Sequence, residues 1–266
     1  MMMELLIASF FLLVGLEIRS TLNKLSDLIL PAFAALGGMI LPALIFHFIN
    51  PNSHAWGSVM PTDITLALLV IAILGKRINQ KVRQFLLTLA VADDLFSLII
   101  LALFYSDNLH IASSLSTFLA AGIGFVLPFR TTLIKVLTPW AFLVVTPAIV
   151  LTNLPLHIGW DNFSSSTTIG FILARLVGKT IGITLFCWIL MQLKVKSPLS
   201  LSEIAGVGVI AGMGLTVSMV IAKVSTDNST ELLNIRLALF IASTIAGLFG
   251  FVWLNRKSTF IHGLLR

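Results

Sequence analysis

The chain has 266 residues, 58% of them hydrophobic and 11% charged, with a mean hydropathy of +1.04. A water-soluble domain carries about 25% charged residues, so this chain lacks the polar surface of a soluble globule and its solvent is expected to be lipid. The single cysteine, Cys187, excludes a disulfide framework and any cysteine-based metal site.

Glu4 stands where a signal peptide carries basic residues, and no small-residue cleavage site follows the first apolar run. That run is therefore expected to be a membrane helix. A spanning helix needs about 20 mostly apolar residues. Nine segments meet or approach this length: 3–18, which is short, then 28–49, 58–75, 83–104, 111–129, 137–156, 168–193, 203–224 and 233–255. Turn-forming stretches such as Asn50-Pro51-Asn52-Ser53, Ser106-Asp107-Asn108 and Asp161-Asn162-Phe163-Ser164 separate them.

Basic residues test this division independently, because cytoplasmic connections are rich in Lys and Arg. Alternate connections hold Arg19 and Lys24, then Lys76, Arg77, Lys81 and Arg83, then Arg130 and Lys135, then Lys194 and Lys196, and finally Arg256, Lys257 and Arg266. Thirteen of the 17 basic residues thus share one side. The N-terminus is expected to be periplasmic and the C-terminus cytoplasmic. The net charge of +6 reflects this orientation and not a nucleic-acid partner.

Segments 28–104 and 168–255 each hold three helices, and the two triplets run in opposite senses. In each, the middle helix is broken, by Pro61-Thr62-Asp63 in one and by Gly212-Met213-Gly214 in the other. Paired interrupted helices in inverted repeats point to a transporter's ion site. Irregular backbone at membrane depth survives only where protein or a water-filled cavity satisfies it.

Asp93 and Asp94 fall near the middle of 83–104. One Asp at the bilayer centre costs about 2.5–3.5 kcal/mol on insertion scales, so a compensating interaction is required. Adjacent helical residues point about 100° apart, so one carboxylate is expected to face an ion cavity and the other a partner. Desolvation and mutual repulsion raise a carboxyl pKa, which suits exchange of a proton for a hard, oxygen-preferring cation. The bland alternative is a buried pair held by structural hydrogen bonds. Lys179 lies at matching depth and is a reasonable partner for Asp93, either as a proton carrier or as a structural countercharge. Arg175, one turn away, either snorkels towards an end or lines the cavity.

Asp63 and Thr62 stand at the first break, where a carboxylate neutralises facing helix ends or coordinates the ion. Thr216 and Ser218 offer oxygen ligands beside Gly212 and Gly214, or simply bond backbone. Glu17, next to Arg19, reads as an interfacial surface pair or a cytoplasmic regulatory residue. The histidines at 47, 54, 110, 157 and 262 show no metal-ligand spacing. An intramembrane aspartyl protease needs two aspartates on different helices, which Asp93 and Asp94 are not.

These motifs resemble one family, the bacterial NhaA-type sodium/proton antiporters. The resemblance is carried in order by Phe10-Phe11-Leu12-Leu13-Val14-Gly15-Leu16-Glu17, Gly37-Gly38-Met39-Ile40-Leu41-Pro42-Ala43-Leu44, Thr62-Asp63-Ile64 and Ala92-Asp93-Asp94-Leu95. Ala102-Leu103-Phe104-Tyr105, Pro139-Trp140-Ala141-Phe142, Gly178-Lys179, Gly182-Ile183-Thr184-Leu185-Phe186-Cys187-Trp188 and Gly212-Met213-Gly214-Leu215-Thr216 continue it. The resemblance implies an all-α polytopic membrane protein that exchanges Na+ or Li+ for H+ across the cell inner membrane, with no cofactor. It implies that Asp94 is the main ion and proton carrier, that Asp93 pairs with Lys179, and that Asp63 compensates helix dipoles at the crossing.

Several features depart from the family. Its members have twelve helices against nine here, and one apolar segment between Tyr105 and Pro128 stands in for three. The whole chain reads as a single membrane domain, 1–266, with 28–104 and 168–255 as the core and 1–27 and 105–167 as a reduced interface part. The family's homodimer is thereby put in question. A shortened, non-transporting relic that still inserts and binds cations is the alternative to a working antiporter. Ile134, Lys135 and Thr138 stand where the family shows an acidic residue and histidines linked to pH response. Thr180 replaces a usual proline, and Phe96 and Arg175 are bulkier than the family pattern.

Overall fold

The structure, a computed structural model, describes residues 9, 12, 13, 16, 25–75, 78–104, 119, 120, 122–127, 130–140, 143, 144, 146–152 and 159–264. Regular structure among them is entirely helical. Eleven α-helices run in chain order: α1 Leu25–Ile49, α2 Ile64–Leu74, α3 Gln80–Phe104, α4 Arg130–Trp140, α5 Thr146–Thr152, α6 Trp160–Ser164, α7 Ser166–Leu173, α8 Lys179–Gln192, α9 Leu201–Ala211, α10 Thr216–Ser225 and α11 Ser229–Leu264. A 3₁₀ turn, Ala55–Val59, precedes α2, and a π-helical turn, Ala174–Gly178, joins α7 to α8.

Among the described residues, four continuous stretches are long and apolar enough to cross a bilayer: Leu28–Ile49, Gln80–Phe104, Ser166–Gln192 and Ser229–Asn255. The pair α9 and α10 is together long and apolar enough to cross as well, as a broken span or a re-entrant loop, and is bent by 56° at the break that sequence places at Gly212-Met213-Gly214. Segment 58–75 is interrupted as expected, with helix only from Ile64 onward. Most of 3–18 and of 111–129, and a smaller part of 137–156, lie outside the described residues. The stretch 130–136, expected as a basic connection, is instead helical through to Trp140. No Gly or Pro interrupts it before Pro139, so nothing in the backbone stops the helix.

α1 and α8 pack through small residues. A Cβ on Gly37 would collide with the Gly182 carbonyl oxygen, and one on Gly182 with the Gly37 carbonyl. Glycine at both positions therefore lets the backbones touch, the usual device where lipid tails supply no hydrophobic drive between helices. α2 stops at Gly75, whose φ of 54° is a left-handed conformation that glycine adopts freely.

Two apolar clusters lie on either side of the helix breaks. One joins Leu74, Leu86, Leu89, Ile183, Val207 and Ile210. The other joins Phe46, Val59, Phe171, Met219, Ile235 and Leu239. Each break thus runs from one packed half of the molecule into the other, and the polar residues of the breaks lie between two dry layers. The outward faces carry exposed large apolar side chains, among them Phe48, Leu103, Leu248 and Phe249, as a lipid-facing surface requires.

Candidate functional site

The two breaks cross. Residues 60–63 and 212–215 leave helical geometry next to each other, and the Asp63 amide donates to the Met213 carbonyl at 3.0 Å. The Thr62 hydroxyl donates to the Ala211 carbonyl at 3.0 Å. Gly214 is tied to α11 through the Ser243 hydroxyl, which meets both its amide and its carbonyl at 3.2 Å. A Cβ at Gly214 would strike the Arg175 guanidinium and the Pro61 carbonyl, so the crossing needs glycine there.

A helix break creates two kinds of end. The N-termini of α2 and α10 present unsatisfied amides, and a single carboxylate meets both. Asp63 Oδ1 accepts from the Thr65 amide at 3.0 Å and the Leu66 amide at 3.4 Å, and also from the Thr65 hydroxyl. Its Oδ2 accepts from the Thr216 amide at 3.3 Å and the Thr216 hydroxyl at 2.9 Å. Asp63 is only 1% exposed, so these bonds replace all of its hydration. Helix N-termini carry partial positive charge, and one negative group satisfies two of them.

The opposite ends present carbonyls, and two cations meet those. Lys179 Nζ donates to the Met60 carbonyl. The Arg175 guanidinium donates to the carbonyls of Pro61, Gly212 at 3.1 Å and Ser58 at 3.4 Å, and to the Ser218 hydroxyl at 2.7 Å. Both cations are fully buried. Arg175 lies within the π-helical turn and Lys179 closes it, the Lys179 amide reaching back to the Ala174 carbonyl. Such single π turns recur at functional sites.

The Asp pair adjoins this crossing. Asp93 is the fourteenth of the 25 residues of α3, so it sits near mid-span. Its Oδ2 forms an ion pair with Lys179 Nζ at 2.8 Å, with both side chains buried. Its Oδ1 is buried with no hydrogen-bond partner among the described residues. Asp94 is equally buried and lies within electrostatic reach of Lys179. One turn further along α3, the Ser97 hydroxyl is also buried without a hydrogen-bond partner among the described residues. Serine in a helix ordinarily bonds the carbonyl four residues back, and Ser97 does not.

The structure therefore brings together Thr62, Asp63, Gly212, Gly214 and Thr216 at the crossing, and Asp93 and Asp94 with Lys179 beside it. Glu17 lies outside the described residues. The Thr216 hydroxyl donates to the Asp63 carboxylate, and the Ser218 hydroxyl accepts from Arg175 and donates to the Pro61 carbonyl. Sequence reasoning leaves the placement of Arg175 open and passes over Ser97. Arg175 is neither snorkelling nor loosely lining a cavity; it is wholly enclosed in the crossing. Ser97 carried no signal beyond its place one turn after the Asp pair. Among the described residues no three His, Cys, Asp or Glu side chains cluster as a metal site.

A family model described as "Na+/H+ antiporter 1" matches residues 1–132 and 123–254. Proteins called Na(+)/H(+) antiporter NhaA are similar throughout. That of Proteus mirabilis (strain HI4320) is 31% identical over 95% of this chain and 81% of its own length. Those of Salmonella typhi and Escherichia coli O139:H28 (strain E24377A / ETEC) are each 30% identical, over 96% and 95% of this chain respectively and 82% of their own lengths. The match to the Proteus protein spans 317 aligned positions, more than the 266 residues present here, so that relative carries internal segments this chain lacks. On these matches the chain belongs to the NhaA-type Na+/H+ antiporter family.

Proposed function

We propose that this chain exchanges Na+ or Li+ for H+ across the bacterial inner membrane by alternating access, with the N-terminus periplasmic and the C-terminus cytoplasmic. Asp94 is the main carrier, binding a proton or a cation in turn. Asp93 is held by Lys179 and shares the site through its second oxygen. Thr62, Asp63, Gly212, Gly214 and Thr216 keep the broken helices open beside it, and Glu17 serves as a cytoplasmic regulatory residue. Residues 28–104 and 168–255 form the moving core, and 1–27 and 105–167 form the remaining scaffold.

The observation that carries this reading is the Asp93–Lys179 pair at mid-span, with Asp93 Oδ1 and Ser97 Oγ buried and without a hydrogen-bond partner among the described residues, next to Asp94. A buried oxygen without a donor costs about 1–3 kcal/mol. A monovalent hard cation or a proton removes that penalty, and the other remedy is an ordered water. Lys179 answers one oxygen of Asp93 and the other has no hydrogen-bond partner among the described residues, so a positive species entering there lowers the energy of the site.

The test is dye-monitored ΔpH in everted vesicles from antiporter-deficient cells. Addition of sodium or lithium should dissipate the acid-inside gradient, in vesicles where the protein is verified to be inserted. The alternative raised by the shortened sequence is a non-transporting relic, which the matches to antiporters do not favour. Cation-dependent thermal stabilisation of the purified protein with no flux in vesicles would establish the relic instead.

A further inference from the structure

Arg175 is a second intramembrane cation for which the ion-site reading has no use. It sits in Leu173-Ala174-Arg175-Leu176-Val177, fully buried, and the ion site would retain its two aspartates and its lysine without it. Its donors go to four acceptors on three separate pieces of chain: Ser58 and Pro61 at the end of the 3₁₀ turn, Gly212 just past α9, and Ser218 in the first turn of α10. All four are carbonyl or hydroxyl oxygens. A charged guanidinium whose hydrogen bonds end on neutral oxygens is unusual in a dry interior, where buried charges pair with opposite charges.

The carbonyl ends explain it. Helix C-termini carry partial negative charge, as N-termini carry positive, and the crossing brings two of each together. Asp63 answers the N-terminal side alone. On the carbonyl side, Lys179 contributes one bond to Met60 and spends its charge on Asp93. The planar five-donor fork of Arg reaches several oxygens at once and does not lose its proton in proteins.

We infer that Arg175 is a positioning residue: a fixed countercharge that fastens the carbonyl ends of both broken helices together and so holds the crossing in place beside the Asp pair. Lys179 is then left to Asp93. The crossing has two matched halves, Asp63 on the amides and Arg175 on the carbonyls, each touching both broken helices. Arg175 also acts through space on Asp93 and on Asp63, so its charge contributes to the potential felt by a cation at the pair. This role rests on the antiport reading only for what the crossing serves.

The experiment compares R175K and R175Q with the unmutated protein. Lysine keeps the charge and loses the fork, while glutamine keeps a planar amide donor and loses the charge. Purified in detergent, R175K is expected to unfold within about 5 °C of the unmutated protein. R175Q should unfold about 10 °C lower, or fail to accumulate in the membrane. In proteoliposomes R175K should keep the sodium KM within about twofold at a reduced maximal rate. Where R175Q folds, it should show a sodium KM about fivefold lower, because a positive charge near the pair has gone. A purely structural role would reduce the amount of active protein without moving KM.

Three results overturn the inference: R175Q as stable as the unmutated protein, R175K as impaired as R175Q, or a folded R175Q with unchanged sodium KM. If the unmutated protein shows no sodium-driven flux, the antiport reading fails. The thermal comparison, which needs no transport, still decides the role of Arg175.

Discussion

Asp63 closes two helix N-termini with one side chain, and Asp63→Ala measures what that is worth. The substitution leaves the amides of Thr65, Leu66 and Thr216 without their carboxylate acceptor, and the Thr65 and Thr216 hydroxyls as well. Losing one exposed N-cap costs about 1 kcal/mol and up to about 2. Here two caps are lost in a buried site, where each unsatisfied donor costs about 1–3 kcal/mol. The combined loss is about 3–5 kcal/mol. At about 2–4 °C per kcal/mol for a chain of this size, the unfolding midpoint should fall by roughly 6–20 °C. Asp63→Asn keeps one acceptor oxygen and should lose about half as much. The assay is thermal unfolding of detergent-purified protein followed by tryptophan fluorescence. Thr216→Val should be destabilising alone and add little on top of Asp63→Ala, since its hydroxyl partner is already gone. An Asp63→Ala midpoint within about 2 °C of the unmutated protein would refute the double cap.

Other substitutions test neighbouring parts of the account. Gly182→Ala puts a methyl group against the Gly37 backbone and should destabilise by about 1–3 kcal/mol through overpacking, read by the same unfolding assay. Lys179→Met and Asp93→Asn each break a buried 2.8 Å ion pair. The lysine change, which strands a charge, should cost about 3–5 kcal/mol, and the double variant should cost clearly less than the two singles summed. Additive effects would argue against the pair. Ser97→Ala removes one buried oxygen beside the carboxylates and should raise the sodium KM about three- to tenfold at unchanged maximal rate. An unchanged KM in proteoliposome transport would remove Ser97 from the ion site.

Much of the site was legible because charge in an apolar run is conspicuous. Asp93, Asp94, Asp63 and Lys179 stand out against their neighbours, and insertion cost alone demands partners for them. The breaks were legible because Pro61 and the glycines at 212 and 214 disrupt otherwise helical stretches. The Asp93–Lys179 contact could be anticipated from matching depth. Arg175 carried the same intramembrane signal, yet depth alone left it free to snorkel. Its actual partners are three backbone carbonyls and the Ser218 hydroxyl, and those become visible only once the two breaks are known to cross. Ser97 looked like any small helical residue, because an unsatisfied hydroxyl is a property of packing and not of sequence. The π turn at Ala174–Gly178 has no composition signature. The helix at Arg130–Trp140 is not legible from its basic residues, because these limit only which side of the membrane a segment faces and not whether it is helical.

The central claim is that Asp94, beside the Asp93–Lys179 pair, carries the exchanged ion. The most direct measurement is uptake of radioactive sodium into proteoliposomes under an outward proton gradient, with Asp94→Asn as the paired control. The account predicts gradient-driven uptake by the unmutated protein and none by Asp94→Asn, with both proteins reconstituted to equal density. Uptake that persists in Asp94→Asn would contradict it.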